Sequence, residues 1–144
     1  MTAARSSEVL AEARSWLGTP YRHRASVRGA GADCLGLLRG LWRALYGAEP
    51  APVPPYSPDW AEAGDAERLW RALAACMSPC PPGAWRPGEV ILFRIRAGGP
   101  AKHLGLVSAS EPARFIHAYP RHGVVESALS APWARRAVAA FEFP

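Results

Sequence analysis

Cysteine, lysine and long apolar runs, which would each point to a particular class of protein, are scarce or absent in this sequence. Only three of its 144 residues are cysteines, and lysine occurs once, at Lys102, so arginine carries nearly all of the positive charge. Three cysteines do not make a disulfide framework. No apolar run reaches 18 residues, and residues 1–17 lack the apolar core of a secretory signal. We therefore expect no membrane span and no export signal.

The composition that is present describes a single globular domain. Hydrophobic residues make up 49% of the chain and charged residues 20%, which is typical of a folded protein of this length. The net charge of +5 favours acidic partners, such as nucleic acid, an anionic cell-wall polymer or an acidic protein surface. No tight basic cluster alternates with aromatic residues, so no specific nucleic-acid surface is expected. Cys76 and Cys80 have no second Cys/His pair nearby, so no zinc site is predicted.

The first half of the chain has helical spacing, and the second half alternates as strands do. The predicted helices run from Ser6 or Ser7 to Trp16, from Asp33 to Tyr46 and from Asp65 to Met77, with an irregular loop over 19–32 and a proline-rich segment over 49–60. The predicted strands are Glu89–Ile95, His103–Ser108, Arg114–Tyr119, Val124–Ser127 and Val138–Phe143. Helices followed by a meander of strands predict an α+β fold, with helices on one face of an antiparallel sheet.

Cys34 is the first candidate for chemistry. Asp33 is a predicted N-cap, which puts Cys34 in the first turn of a helix, where free backbone N–H groups stabilise an anion. A thiol at such a position is expected to have a lowered pKa and to act as a nucleophile. The alternative is that Cys34 is a small buried apolar residue, as most free cysteines are.

Two of the four histidines are candidates for the base that a nucleophilic cysteine needs. His103 opens one predicted strand and His117 lies in the next, and in a hairpin of suitable register both rings share one face. One ring would then orient the other. The alternative is that each is a hydrogen-bonded histidine of the sheet without a catalytic role. His23 and His122 are expected to be solvated loop and turn residues.

Five short blocks follow one another along the chain: Trp16–Tyr21, Asp33–Gly36, Pro87–Phe93, His103–Val107 and Phe115–Ala118. Together they resemble the successive blocks of the NlpC/P60 cysteine peptidases. The resemblance implies a papain-like α+β fold, with N-terminal helices packed on a five- to six-stranded antiparallel sheet. It also implies cleavage of bacterial cell-wall peptides, commonly beside a D-γ-glutamyl residue.

The same resemblance assigns roles to residues. Cys34 would be the nucleophile, His103 the base and His117 the third polar residue, with Tyr21 and Asp33 binding the substrate. Neither a metal nor a cofactor is needed. Leu35 departs from many cellular members, which have a serine there that in some of them helps to bind the free amino end of the substrate. That specificity therefore cannot be carried over.

A narrower likeness concerns the phage-tail cell-wall peptidases and the similar tail peptidases of gene transfer agents. It is carried by the Arg22–Ser26 stretch and by a proline-rich and helical insert at about 48–82 in a single domain over 1–144. It implies a protein made in the bacterial cytoplasm and carried on a phage-like tail, with peptidoglycan peptides and tail hub or baseplate proteins as partners. Two alternatives stay open: a catalytically silent structural component of the tail hub, and an amidase or acyltransferase using the same Cys–His pair.

Overall fold

The computed structural model describes residues 1–51 and 67–144, which form four helices and eight strands. The helices are α1 (Ala3–Ser15), α2 (Cys34–Tyr46), α3 (Arg68–Cys76) and α4 (Ala131–Arg136). The strands are β1 (Ser26–Val27), β2 (Gly31–Ala32), β3 (Ser78–Cys80), β4 (Val90–Phe93), β5 (His103–Ser110), β6 (Ala113–Tyr119), β7 (Gly123–Ala128) and β8 (Ala137–Glu142).

Six of the strands form one antiparallel sheet in the order β3-β8-β4-β5-β6-β7. Strands β4 to β7 follow one another as the predicted meander, and β8 returns to pair with β4 and β3. The prediction of an α+β fold with a five- to six-stranded antiparallel sheet is confirmed.

The sheet is buried on both of its faces, and each face has its own apolar core. On β4, Val90 and Leu92 join the core formed with α1 and α2, whereas Ile91 and Phe93 join a smaller core on the opposite face. Alternate residues of a strand point to opposite faces, so a strand of four buried residues requires cover on both sides. The smaller core is completed by Trp133 of α4.

Helix α2 begins and ends as its sequence predicts. The side chain of Asp33 caps the helix, because Oδ1 accepts a hydrogen bond of 2.7 Å from the backbone N–H of Gly36. Gly47 ends the helix in the left-handed conformation, with φ of 82°. The buried face of the helix consists of Leu37, Leu38, Leu41 and Trp42, with Gly36 and Gly40 between them.

The loop before α2 packs directly on the first turn of the helix. A Cβ atom on Gly36 would collide with the carbonyl oxygen of Ala25, so only glycine fits at this contact. Ser26 donates a hydrogen bond of 2.6 Å to the carbonyl oxygen of Gly36, and Arg43 donates one of 2.7 Å to the carbonyl oxygen of Ser26. The loop is therefore tied to α2 at both its backbone and its side chains.

Several local predictions are wrong in detail. Helix α1 is capped by Thr2 rather than by Ser6 or Ser7, because the Thr2 hydroxyl accepts from the backbone N–H of Arg5. The loop over 19–32, which was predicted to be irregular, contains the short β1–β2 ribbon. Strand β3 was not predicted; it pairs with β8 at the edge of the sheet, where prolines are tolerated. Helix α4 was not predicted.

The predicted insert at about 48–82 lies partly outside the described residues. Of its two predicted elements, the helix is seen as α3, and most of the proline-rich segment falls within 52–66. The single-domain organisation over 1–144 stays a prediction.

Candidate active site

Cys34 is the first residue of α2, and its thiol lies against the beginning of β5. The thiol donates a hydrogen bond to the carbonyl oxygen of Lys102, with Sγ 3.7 Å from that oxygen. The backbone N–H groups of Leu104, Leu35 and Cys34 itself lie close enough to the sulfur to lower its pKa. Because Lys102 and Leu104 are the chain neighbours of His103, the sulfur lies beside the backbone on both sides of that histidine.

The pKa of this thiol differs from the expectation for a helix N-terminus. Burial, with a smaller contribution from the carboxylate of Asp33, raises the pKa of Cys34 to about 12. The surrounding N–H groups lower the pKa, but by less. The predicted lowering is therefore wrong for the free protein. The thiol is protonated at neutral pH, and a base must remove its proton as it reacts.

His103 and His117 are in direct contact, as the hairpin geometry predicted. Nε2 of His103 lies 2.8 Å from Nδ1 of His117, and Nε2 of His117 lies 2.9 Å from the hydroxyl oxygen of Ser127 on β7. Every buried side-chain nitrogen and oxygen in residues 1–51 and 67–144 has a hydrogen-bond partner. Nε2 of His103 is taken up by the contact with His117, so Nδ1 is the ring nitrogen left for a thiol or a substrate.

The two histidine rings are enclosed by aromatic side chains. His103 is 7% exposed and His117 is fully buried, with the Trp133 ring centroid 5.7 Å and 5.2 Å from theirs. Burial, with smaller contributions from the neighbouring His117 and Lys102, lowers the pKa of His103 to about 3. Burial also lowers the pKa of His117 to about 4, with a smaller effect of His122. Both rings are therefore neutral at neutral pH, and each can accept a proton.

Asp33 and Tyr21, the two predicted substrate-binding residues, lie beside Cys34. Asp33 is buried, and in addition to capping α2 it accepts a hydrogen bond of 2.7 Å from the backbone N–H of Arg24. Burial, with smaller contributions from the neighbouring Cys34 and Asp33, raises the pKa of Tyr21 to about 12. The Tyr21 hydroxyl is therefore a proton donor at neutral pH. Asp33 already uses both carboxylate oxygens to hold the loop and the helix together.

The other two histidines lie apart from the His103–His117 pair. His122 is in the turn after β6 and stacks on Tyr119, with ring centroids 5.1 Å apart. His23 is in the loop before α2, with Nδ1 3.8 Å from Oδ2 of Asp33. The prediction of loop and turn positions is confirmed for both, although His23 also contacts the acidic residue next to Cys34.

Two residues of the site were missed by sequence reasoning. Ser127 could have been found by assigning a register to the β6–β7 hairpin. The observed register pairs Phe115 with Ser127 and His117 with Val125, so Ser127 lies on the same face of the sheet as His117. Trp133 had no such signal, since the short helix that carries it was not predicted.

Two searches of the described residues bear on the class of site. Within 1–51 and 67–144, no three histidine, cysteine or acidic side chains come together in a way that would bind a metal ion. None of the helices in those ranges combines the length and the apolar character needed to cross a bilayer.

Comparison with known proteins identifies the fold. No protein-family model and no curated protein match the sequence, whereas solved structures do. The NlpC/p60 domain of the peptidoglycan hydrolase SagA has a TM-score of 0.61 at 18% identity, covering 96% of this chain and 98% of that domain. An NlpC/P60 family protein from Bacillus cereus has a TM-score of 0.65 at 16% identity, covering 96% of this chain and 40% of that one.

A third similar structure was determined with a product bound. Ly7917 with the hydrolyzing product of MDP has a TM-score of 0.61 at 17% identity, covering 96% of this chain and 63% of Ly7917. The chain thus spans nearly all of the SagA domain and less than two thirds of the other two proteins. At these identities the likeness is one of fold. The chain has the papain-like α+β fold of NlpC/P60 domains.

Proposed function

We propose that this chain is a cysteine endopeptidase that cleaves stem or cross-link peptide bonds of bacterial peptidoglycan. The observation that carries the proposal is that the Cys34 sulfur lies beside the backbone on both sides of His103, whose ring is hydrogen-bonded to His117. The substrate class is supported by the fold shared with SagA, a peptidoglycan hydrolase, and with Ly7917, whose structure contains the hydrolyzing product of MDP.

In this reaction Cys34 is the nucleophile and His103 is the base. The sulfur attacks the carbonyl carbon of the scissile amide while the thiol proton moves to Nδ1 of His103. The resulting imidazolium later gives that proton to the departing amine, and water hydrolyses the thioester. In the free protein the thiol is bonded to the carbonyl of Lys102, so substrate binding must redirect it to His103.

The backbone around Cys34 suits the oxyanion of the tetrahedral intermediate. The N–H groups of Cys34 and Leu35 lie at the positive end of α2 and already reach the sulfur. An oxyanion formed next to that sulfur would accept hydrogen bonds from the same groups. Tyr21, whose hydroxyl keeps its proton at neutral pH, is the proposed side-chain donor beside it.

The proposed contribution of Asp33 to substrate binding is electrostatic. Both of its oxygens accept backbone hydrogen bonds, so the carboxylate acts through its negative charge on a nearby substrate amino group. Leu35 follows Cys34 and is half-buried, so it offers an apolar contact rather than a hydrogen bond at this position. We therefore expect the preference at the amino end of the substrate to depend on shape and charge.

We further propose that the enzyme is carried on a phage-like tail, where it opens the wall during DNA delivery. This part rests on the sequence likeness to phage-tail and gene transfer agent peptidases, with tail hub or baseplate proteins as the docking partners. Particles that carry Cys34→Ala test it. They should contain the protein in normal amount and deliver DNA poorly. Normal delivery would favour the structural, catalytically silent role.

Purified cell-wall sacculi test the enzymatic proposal. The wild-type protein, under reducing conditions, should release peptides that mass spectrometry identifies as cleaved at an amide bond between amino acids. Cys34→Ala should release none, and the matched control Cys76→Ala, which alters a partly buried cysteine on α3, should be as active as wild type. Equal release by Cys34→Ala, or no release by the reduced wild type, would overturn the proposal. Release of intact stem peptides would instead identify an amidase.

A further inference from the structure

We infer that Ser127 is a positioning residue: its hydroxyl holds His117 in the tautomer that leaves Nδ1 of His103 free to take the proton of Cys34. The inference deepens the proposed function and rests on it, because the tautomer matters only if His103 is the base. Ser127 itself is not expected to touch the substrate or the sulfur.

The three side chains form a continuous hydrogen-bonded chain across three strands. It runs from Nε2 of His103 to Nδ1 of His117, a distance of 2.8 Å, and from Nε2 of His117 to Oγ of Ser127, a distance of 2.9 Å. Both distances are normal for hydrogen bonds. Ser127 lies on β7 and is partly exposed, whereas the two rings are buried. The chain thus leads from the site to the edge of the protein surface.

A neutral imidazole has one N–H, so only two proton arrangements satisfy this chain. In the first, Nε2 of His103 donates to Nδ1 of His117, and Nε2 of His117 donates to the Ser127 oxygen. Nδ1 of His103 then has a free lone pair. In the second, the Ser127 hydroxyl donates to Nε2 of His117, and Nδ1 of His117 donates to Nε2 of His103. The single proton of the His103 ring is then on Nδ1. Only the first arrangement makes His103 a base at Nδ1.

The reaction step itself requires the first arrangement. When His103 takes the Cys34 proton at Nδ1, both of its nitrogens carry protons, so Nε2 must donate to His117. Nδ1 of His117 is then an acceptor, and its single proton lies on Nε2, which needs an acceptor of its own. The hydroxyl oxygen of Ser127 is the acceptor found there. No proton passes to Ser127, and the Cys34 proton stays on His103 until the amine leaves.

Burial makes this acceptor important. His117 is fully buried, and an N–H without a partner in such a place is costly. Removing the Ser127 hydroxyl would therefore disfavour the arrangement with a proton on Nε2 of His117, and with it the basic form of His103. The neutral state of both rings, which follows from their lowered pKa values, is what makes the choice between tautomers relevant at neutral pH.

Three substitutions at Ser127 separate positioning from packing. Ser127→Ala removes the acceptor, and we expect kcat on wall peptides to fall by about 10- to 100-fold with KM within about twofold. Ser127→Thr keeps a hydroxyl and should restore activity to within about threefold of wild type. Ser127→Asp can only accept, so it should keep activity and move the acid limb of the kcat–pH profile to higher pH. Ser108→Ala, which loses a hydroxyl bonded to Glu126 on the same sheet, is the matched control and should leave kcat unchanged.

Nitrogen-15 spectra of labelled histidines give a readout that does not depend on activity. In the wild type, Nε2 of His117 should be protonated and Nδ1 of His103 unprotonated, and Ser127→Ala should populate the reversed tautomer. A wild type with the proton on Nδ1 of His103, or a Ser127→Ala variant with wild-type kcat and spectra, would overturn the inference. Failure of Ser127→Thr to recover activity would do so as well.

The two proposals fail in different ways. If the wild-type protein cleaves wall peptides and Ser127→Ala does so equally well, the peptidase proposal stands and the positioning role is wrong. If the wild type cleaves nothing, the peptidase proposal is wrong, and the tautomer spectra alone decide whether Ser127 orients the histidine pair.

Discussion

The indole of Trp133 stands edge-on to the ring of His117, with centroids 5.2 Å apart and planes at 84°. The same indole lies 5.7 Å from the ring of His103. Trp133 belongs to α4, which was not predicted from the sequence, so an unpredicted helix carries the side chain that covers the two histidines. Their burial, and with it their lowered pKa values, depends on this contact.

Buried neutral histidines make stability depend on pH. Their folded-state pKa values, about 3 and about 4, lie below the unfolded value of about 6.5, so the unfolded chain binds more protons as the pH falls. The free energy of unfolding should therefore drop between pH 7 and pH 5, by about 2 kcal/mol for each histidine. Urea unfolding at a series of pH values measures this.

The fall in the free energy of unfolding between pH 7 and pH 5 is expected to come from the histidines rather than from the acidic residues. Hydrogen bonds lower the pKa values of Glu49, Glu67 and Glu126, with the largest lowering from Arg39, the Ala101 backbone N–H and the Ser108 hydroxyl respectively. Their contribution to stability is therefore lost as the pH falls from the usual carboxyl range downwards, below this window. His103→Gln should make the stability curve flatter between pH 7 and pH 5, whereas the exposed His122→Gln should not. A wild-type curve that is flat over this window would contradict the burial of the pair.

Trp133→Leu tests directly whether the indole buries the two histidine rings and so lowers their pKa values. Leucine keeps an apolar side chain but leaves a gap over both rings, so water reaches them and their pKa values should rise towards 6.5. We expect a loss of about 1–3 kcal/mol in the free energy of unfolding. Histidine NMR titration gives the pKa values. Trp70→Leu, a partly buried tryptophan on α3, is the control and should leave both titrations unchanged.

Asp33→Asn tests the electrostatics of the thiol. Asparagine is as good an N-cap as aspartate, so α2 should be kept while the negative charge that raises the pKa of Cys34 is removed, together with the hydrogen bond from Arg24, which the amide nitrogen cannot accept. Alkylation of Cys34 by iodoacetamide at pH 8 should become several-fold faster, because the thiolate fraction rises. Mass spectrometry of the tryptic peptide 29–39 reports Cys34 alone. An unchanged or slower rate would show that Asp33 does not suppress the thiolate.

Gly36→Ala decides between helix propensity and packing. Alanine is favoured over glycine inside a helix by about 1 kcal/mol, so propensity alone predicts a more stable protein. The new methyl group would meet the carbonyl oxygen of Ala25, and we expect instead a loss of about 1–3 kcal/mol. Ala44→Gly, at an exposed position of the same helix, measures how much the difference in helix propensity between alanine and glycine changes the free energy of unfolding. A gain in stability on Gly36→Ala would contradict the tight contact between the loop and α2.

The parts of the fold that follow from local rules could be predicted from the sequence. Asp33 and Gly47 bound α2 because a side-chain cap and a left-handed glycine act within a few residues. The meeting of His103 and His117 followed from the alternation of side chains in a hairpin. Each of these depends on neighbours in the chain, which a single sequence displays.

The parts that depend on tertiary contacts could not be predicted. Helix α4 is only six residues long, and its reason to form is that Trp133 packs on a face of the sheet that the sequence did not show to be covered. The pKa of Cys34 was predicted in the wrong direction, because the helix N-terminus is a local effect and burial is not. Burial of the thiol raises its pKa by more than the N–H groups at the helix N-terminus lower it.

The central claim is that Cys34 forms a covalent bond with the acyl part of a wall peptide. Wild-type protein turning over purified wall peptides can be quenched in acid, digested with trypsin and analysed by mass spectrometry. We predict an acyl thioester on Cys34 within peptide 29–39, absent from Cys34→Ala, which should also release no product. Cleavage at the wild-type rate by Cys34→Ala, or an acyl group on a different residue, would contradict the account.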